Sequence, residues 1–347
     1  MVQKRRAGAI FSPGSEGGGE LALLEAIRRR AGQISSSKSG SRIRLGIGDD
    51  CALLRPAKDE EIAITTDLSI ESRHFRLDWH PPESVGHRTL ARGLSDLAAM
   101  GARPVAAFLS LGIPARLATA GSDGKRWVDR FLDGLMALAE EHQVPLAGGD
   151  LAESPVALAD IVLMGAVPRG KALLRSGAKP GDRIFVTGKL GGSAAELAAL
   201  SAEPEAFASK TAASADSPHL YPQPRVAQGM WLCKKRTASA AMDLSDGLST
   251  DLRHICDESH VAAEIDAAKI PLAKDATLPM ALHGGEDYEL LFTARPSTKV
   301  PRRIAGVAVT EIGRIVRIRK GRPVVTLLTD GSVVALEAKG WEHFAGR

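Results

Sequence analysis

Gly46-Ile47-Gly48-Asp49-Asp50 is the stretch on which the reading of this chain turns. Two adjacent carboxylates close an apolar run, behind glycines that let the backbone turn tightly. Adjacent acids repel, and solvation alone does not ask for them at the end of an apolar segment. A hard cation would offset that repulsion, because Mg²⁺ takes oxygen ligands and often sits between carboxylates and substrate phosphates. A plain Gly-Asp turn between strands fits the same five residues. The other aspartates have to decide between the two.

Working outward, apolar strands keep ending on aspartates beside glycine or hydroxyl residues. Ile62 and Ile64 alternate with smaller residues in a short strand that delivers Thr65-Thr66-Asp67 at its end. Residues 83–100 have helical spacing, with Val85, Leu90, Leu94 and Leu97 on one face and Gly101 as the stop. Asp96 sits beside that apolar face, where an unpaired carboxylate is rare. A strand from Val105 to Ile113, a helix marked by Trp127, Phe131, Leu135 and Leu138, and a strand ending at Gly148-Gly149-Asp150 follow. A further strand covers Val156 to Val167, and Pro168-Arg169-Gly170 marks a boundary.

The second half repeats the theme. Strand Ile184–Thr187 precedes a helix opened by Gly191-Gly192-Ser193, and residues 202–218 are weakly patterned. Asp243-Leu244-Ser245-Asp246-Gly247 leads into a helix carrying Leu248, Leu252 and Ile255. Gly284-Gly285-Glu286-Asp287-Tyr288-Glu289 precedes another strand, and the tail holds a hairpin at Asp330-Gly331. Strands and helices are mixed without strict alternation, which favours α+β domains.

A chain of 347 residues exceeds a single typical core. We expect an extension at 1–18, a first domain at 19–167 and a second at 168–347. Hydrophobic residues at 44% and charged residues at 25% match a globular protein, with no apolar run that would span a bilayer. Cys51, Cys233 and Cys256 are far apart and odd in number, which speaks against a disulfide framework and fits a cytoplasmic protein. The net charge of +4 carries only short basic clusters, so nucleic acid is not the expected partner.

Known catalytic signatures narrow the chemistry. The Gly-Lys pairs at 124–125, 170–171 and 188–189 are followed by Arg126, Ala172 and Leu190, which excludes a P-loop. Protein-kinase, nucleophile-elbow and His-Glu-x-x-His motifs are missing too. What remains is Asp49, Asp50, Asp67, Asp96, Asp150, Asp243 and Asp246. If they converge, divalent cations would have to bind there, and these would in turn hold a polyphosphate. Phosphoryl transfer needs mainly positioning and charge neutralisation, so such a site suffices. Arg175 would add a planar cationic fork for phosphate.

Seven blocks in order carry a specific resemblance. They are Gly46–Asp50, Thr65–Asp67, Leu94–Ala102, Gly148–Asp150, Arg175–Asp182, Asp243–Gly247 and Gly284–Leu290. Together they resemble the thiamine-monophosphate kinase family, in the superfamily of aminoimidazole ribonucleotide synthetase. The resemblance implies a two-domain fold of that superfamily, with an N-terminal sheet pairing across a homodimer and a C-terminal α/β sandwich. It implies transfer of the ATP γ-phosphate to thiamine monophosphate with several Mg²⁺ ions per site and no phospho-enzyme. By position, Asp49, Asp50, Thr65, Thr66, Asp67, Asp96, Asp150, Asp243 and Asp246 would hold metal. Gly149, Asp150, Arg175 and Ser245 would contact ATP. His74, Glu286 and Trp341 would face the substrate, the last as a ring that stacks on pyrimidine or thiazolium. The alternatives are another ATP-dependent enzyme of the superfamily or a non-catalytic nucleotide-binding protein.

Overall fold

The structure is a computed structural model that describes residues 27–31, 42–45, 47, 53–121, 125–211, 217–329 and 331–340. Asp49, Asp50 and Trp341 therefore lie outside the described residues. Asp49 and Asp50 fall between two short antiparallel strands, β1 (Ile43–Leu45) and β2 (Leu53–Leu54). Ile47, in the same connection, packs against the first apolar cluster.

Four strands form the first sheet: β3 (Glu60–Ile70), β4 (Arg103–Ile113), β5 (Leu146–Glu153) and β6 (Leu158–Pro168). Their spatial order is β3-β6-β4-β5, with β4 and β5 parallel and the other pairs antiparallel. β3 pairs with β6 without a break from Glu60↔Pro168 to Ile70↔Leu158. It is therefore longer than the short strand expected, and Thr65-Thr66-Asp67 lies within it rather than at its end. Gly148-Gly149-Asp150 likewise falls inside β5. The period of two then sorts the strand by face. Thr65 and Asp67 sit opposite buried Leu163 and Ile161, on the side that the helices cover. Ile64, Thr66 and Leu68 face the other way and are exposed.

Two helices cover the sheet, α1 (Pro82–Ala99) and α2 (Trp127–Glu141). They cross with almost no gap. A Cβ on Gly86 would stand 1.8 Å from the Phe131 carbonyl oxygen, and one on Gly134 would stand 1.9 Å from that of Glu83. α1 stops where expected: Gly101 adopts φ 68°, and the Gly101 and Ala102 N–H groups donate to Ala98 and Leu97.

The second sheet is built from β7 (Arg183–Thr187), β8 (Ala240–Asp243), β9 (Ala262–Asp266), β10 (Leu290–Ala294), β11 (Arg303–Ile304), β12 (Val307–Val316), β13 (Val325–Thr329) and β14 (Ser332–Ala335). Its order is β14-β13-β9-β12-β7-β10-β8, with β11 added on β12. The helices of this half are α3 (Gly192–Ala202), α4 (Val226–Lys235), α5 (Leu248–Ser259) and α6 (Leu278–His283). β13 and β14 form the tail hairpin. Segment 202–218, read as loop or loose helix, shows among its described residues one short 3₁₀ turn, at Pro204–Phe207.

α1 is the hinge of the arrangement. Of its 18 residues 14 are buried, more than one covered sheet face explains. The apolar cluster containing Leu90, Leu94 and Leu97 also includes Leu232 of α4 and Leu290 and Phe292 of β10. Both halves thus bury the same helix. No helix among the described residues is long and apolar enough to cross a membrane.

We expect Gly86→Val to force α1 and α2 apart and to cost about 3 kcal/mol of unfolding free energy, as overpacking does. Urea titration followed by circular dichroism checks this, and an unchanged midpoint would contradict the close crossing.

Candidate active site

A cavity of about 850 Å³ lies between the two halves, with Asp67, Asp96 and Asp243 on one wall and His74 and Glu286 on another. Each acid comes from a different element: β3, α1 and the last residue of β8. Their charges are poorly compensated. Thr65 Oγ1 donates to Asp96 Oδ2, and Ser95 Oγ donates to Asp243 Oδ2 at 2.6 Å. Arg92 Nη2 reaches Asp67 Oδ1 only at 3.4 Å.

The proton affinities of these carboxylates report the strain. Burial pushes Asp67 up to about 6, with Arg92 opposing and Asp96 reinforcing the shift. Burial likewise raises Asp96, against the Thr65 hydrogen bond. Asp243 is pushed up to about 7 by burial and then by Asp96. Three crowded oxygen-donor groups short of positive charge are what a hard cation fits. Among the described residues no three acidic, His or Cys side chains close into a ready-made cage, so a cation here would need further oxygen donors.

The loop 284–289 meets the Asp243–Asp246 segment along the backbone. Glu286 N donates to Ser245 O at 2.8 Å, Tyr288 N to Leu244 O at 2.9 Å and Leu244 N to Glu289 O at 2.8 Å. Glu286 and Tyr288 adopt φ of 65° and 49°, a left-handed conformation costly for residues with side chains. The side chains then diverge. Asp287 accepts from Gly191 N at 2.7 Å and Ser193 N at 3.2 Å, capping the start of α3. Glu289 pairs with Arg225 and accepts from Thr187.

Glu286 is gripped by Arg88, whose Nη2 lies 2.9 Å from both carboxylate oxygens. The Arg88 Nη1 is 3.0 Å from His219 Nδ1, and it also donates to the His219 carbonyl. A guanidinium only donates, so His219 Nδ1 accepts and its proton sits on Nε2. That proton faces His80 Nε2 at 3.2 Å, and His80 Nδ1 lies 3.2 Å from both the N–H and the carbonyl of Arg76. Burial, helped by Arg88, keeps both imidazoles neutral, with His80 pushed down to about 3.

Several expected residues are brought together: Asp67, Asp96, Asp243, Ser245, Asp246, His74 and Glu286 all line the cavity. Thr65 reaches it through Asp96. Thr66 and Asp150 do not join them. Asp150 pairs across Ser110 with Asp160, and Thr66 Oγ1 donates to Asp160 Oδ1 at 3.3 Å, so this group occupies the opposite face of the sheet. Gly149 has φ 150° in β5, where a Cβ would stand 1.9 Å from the Leu109 oxygen. Arg175 is exposed, yet near enough to Asp96 to hold down its proton affinity.

The sequence reading missed Arg88, Arg92, Asp160, His219 and Asp251. Asp251 is buried in α5 and accepts from Asp246 N at 3.2 Å and Gly247 N at 3.1 Å, fixing the loop that carries Asp246. Arg88, Arg92 and Asp96 recur every four residues along one helical edge, a signal that was available.

Burial alone would raise Glu286, but Arg88, together with His219 and Arg92, outweighs it and the group sits at about 2, below its ordinary 4.5. A lowered folded pKa means that the pair stabilises the fold above the ordinary value, and that this contribution fades as pH falls toward 2. Glu286→Gln should therefore lose more stability near pH 6 than near pH 3, read as urea midpoints at both. Equal losses would contradict the pairing.

The AIR synthase related protein, N-terminal domain family matches residues 48–167, and the AIR synthase related protein, C-terminal domain family matches 179–325. The thiamine-monophosphate kinase of Escherichia coli strain K12 is 39% identical over 339 residues, covering 94% of this chain and 98% of the relative. The crystal structure of thiamine-monophosphate kinase from Stenotrophomonas maltophilia K279a superposes with a TM-score of 0.74 at 38% identity, over 90% of this chain and 96% of that one. The structure of AaThiL complexed with AMPPCP and TMP superposes with a TM-score of 0.71 at 30% identity, over 94% and 97%. With both halves matched and nearly the whole length aligned, the chain belongs to the thiamine-monophosphate kinase family, built on the two AIR synthase related domains.

Proposed function

We propose that this chain transfers the γ-phosphate of ATP to thiamine monophosphate, giving thiamine diphosphate and ADP. The observation that carries this reading is the wall of under-compensated carboxylates, Asp67, Asp96 and Asp243, facing a cavity large enough for two phosphorylated ligands. The family relation supplies the ligands: a relative was solved with AMPPCP and TMP.

Mg²⁺ ions, when bound, would neutralise the phosphate charge as the transferred group moves. We assign their binding to Asp67, Asp96 and Asp243 with Thr65 and Asp246, completed by Asp49 and Asp50. Ser245, Arg175 and Gly149 are assigned to the nucleotide, whereas Thr66 and Asp150, with Asp160 on the other face of the sheet, do not face this cavity. His74 and Glu286, with Trp341, are assigned to thiamine monophosphate. Glu286, held ionised by Arg88, offers a fixed negative charge to a cationic ring.

The chemistry asks little proton transfer of the protein. A phosphate monoester has a second pKa near 6, so the acceptor is largely dianionic at neutral pH. One of its oxygens forms a bond to the γ-phosphorus, the bond to the bridging oxygen breaks, and the electron pair leaves with ADP. Walls from both halves keep the ligands aligned and limit water.

The same reading takes the chain as a homodimer. Ile64 and Leu68 of edge strand β3 are 62% and 45% exposed on the sheet face away from the helices, apolar surface that a second copy would cover.

Phosphorus NMR of the protein with ATP, Mg²⁺ and thiamine monophosphate should show a diphosphate on thiamine and an equal amount of ADP. No signal without Mg²⁺ is the matching control. Intact ATP would overturn the reading, and formylglycinamidine ribonucleotide would then be tried as substrate. Asp67→Asn should nearly abolish turnover while leaving the thermal transition in place; wild-type rates would remove Asp67 from the metal set. His74→Ala should raise KM for thiamine monophosphate more than KM for ATP, and equal changes would take His74 off the acceptor side.

A further inference from the structure

Along one edge of α1, Arg88, Arg92 and Asp96 stand one turn apart. Arg88 is fully engaged by Glu286 and His219, and Asp96 belongs to the carboxylate wall. Arg92 lies between them on the same cavity. Its side chain is only 16% exposed, yet its contacts are loose: Nη2 to Asp67 Oδ1 at 3.4 Å and Nη1 to Ser69 Oγ at 3.5 Å. Charge-assisted hydrogen bonds usually close to about 2.7–2.9 Å. The contrast with Arg225, which grips Glu289 at 2.5 and 2.6 Å, shows what an engaged guanidinium looks like in this fold.

A shielded guanidinium cannot shed its proton to escape the cost of burial. The neighbouring acids Asp67, Glu286 and Asp96 favour its charge, yet its nearest acceptors stand at 3.4 and 3.5 Å, and an anion arriving in the cavity would give the fork the close oxygens it lacks. The anion must present two oxygens to a planar fork and sit between the carboxylate wall and the Glu286 wall. A phosphate group has that geometry, and its position there is next to the assigned metal residues.

We propose that Arg92 binds the acceptor phosphate of the substrate through its non-attacking oxygens, turning the remaining oxygen toward the nucleotide. This rests on the function proposed above and adds a residue to it. Arg175, the phosphate fork expected from the sequence, is exposed and lies outside the residues lining the cavity, so the two arginines serve different ligands. The competing role for Arg92 is simple charge balance for Asp67.

Steady-state kinetics of the full chain separate these roles, with each substrate varied in turn at saturating Mg²⁺. Arg92→Gln should raise KM for thiamine monophosphate about tenfold or more, the scale of a lost charged hydrogen bond, with KM for ATP nearly unchanged. Arg92→Lys should recover part of that loss, because it keeps the charge and loses the fork. An unchanged KM for thiamine monophosphate, or equal rises for both substrates, would overturn the proposal and leave Arg92 as a counter-charge. If Arg92→Gln shows no cooperative thermal transition, Arg92→Lys decides by the same comparison. A wild type that forms no thiamine diphosphate would sink the functional reading itself, and this assignment with it.

Discussion

The constraint on which the molecule depends is mutual repulsion among carboxylates held away from water. Asp67, Asp96 and Asp243 are brought together from β3, α1 and β8, and the one ion pair among them, Arg92 with Asp67, is held only at 3.4 Å. Burial and mutual repulsion raise the proton affinity of Asp67 and Asp243 together. Apolar packing holds them in place. α1 is buried against both halves, so it cannot swing Asp96 toward solvent without opening the cluster around Leu90, Leu94 and Leu97. The Ser95–Asp243 hydrogen bond crosses between the halves within the carboxylate wall. A site kept short of positive charge is poised for metal and phosphate, whereas one already satisfied by lysines would have less to gain.

Loop 284–289 solves the complementary problem of fixing a wall that carries no regular structure. Successive side chains are sent in different directions, to Arg88, to the start of α3, into the core and to Arg225. Two residues in left-handed conformation make that divergence possible, and backbone bonds to residues 244 and 245 hold them. Asp287, pushed up to about 7 by burial, shows that even its capping role is carried out under desolvation. The loop thus ties the substrate wall to the ends of two helices and to one strand.

Much of this was legible in the sequence because local pattern and local structure coincide. α1 and α2 carry clear helical spacing, and an acid beside an apolar face marked Asp96. The strand limits were less legible. Thr65-Thr66-Asp67 is polar, and polar residues read as a strand end, but full pairing with β6 carries β3 on to Ile70. The division of Thr66 and Asp150 from Asp67 was hidden for the same reason, since facing depends on register across all four strands. Arg88 and His219 were unreadable singly. An arginine in a helix normally marks solvent, and its partners lie 131 and 198 residues away in the chain.

The four-residue spacing of Arg88, Arg92 and Asp96 also limits how this region can vary in length. One residue inserted between Arg88 and Asp96 would turn everything beyond it by about 100°, taking Asp96 off the cavity edge and into the buried place of Leu97. The Gly86–Gly134 crossing removes the alternative of sliding the helix along its neighbour to restore the register. Insertions and deletions in descendants of this sequence should therefore collect around residues 203–216, between α3 and the segment carrying His219, while 82–101 changes only by substitution.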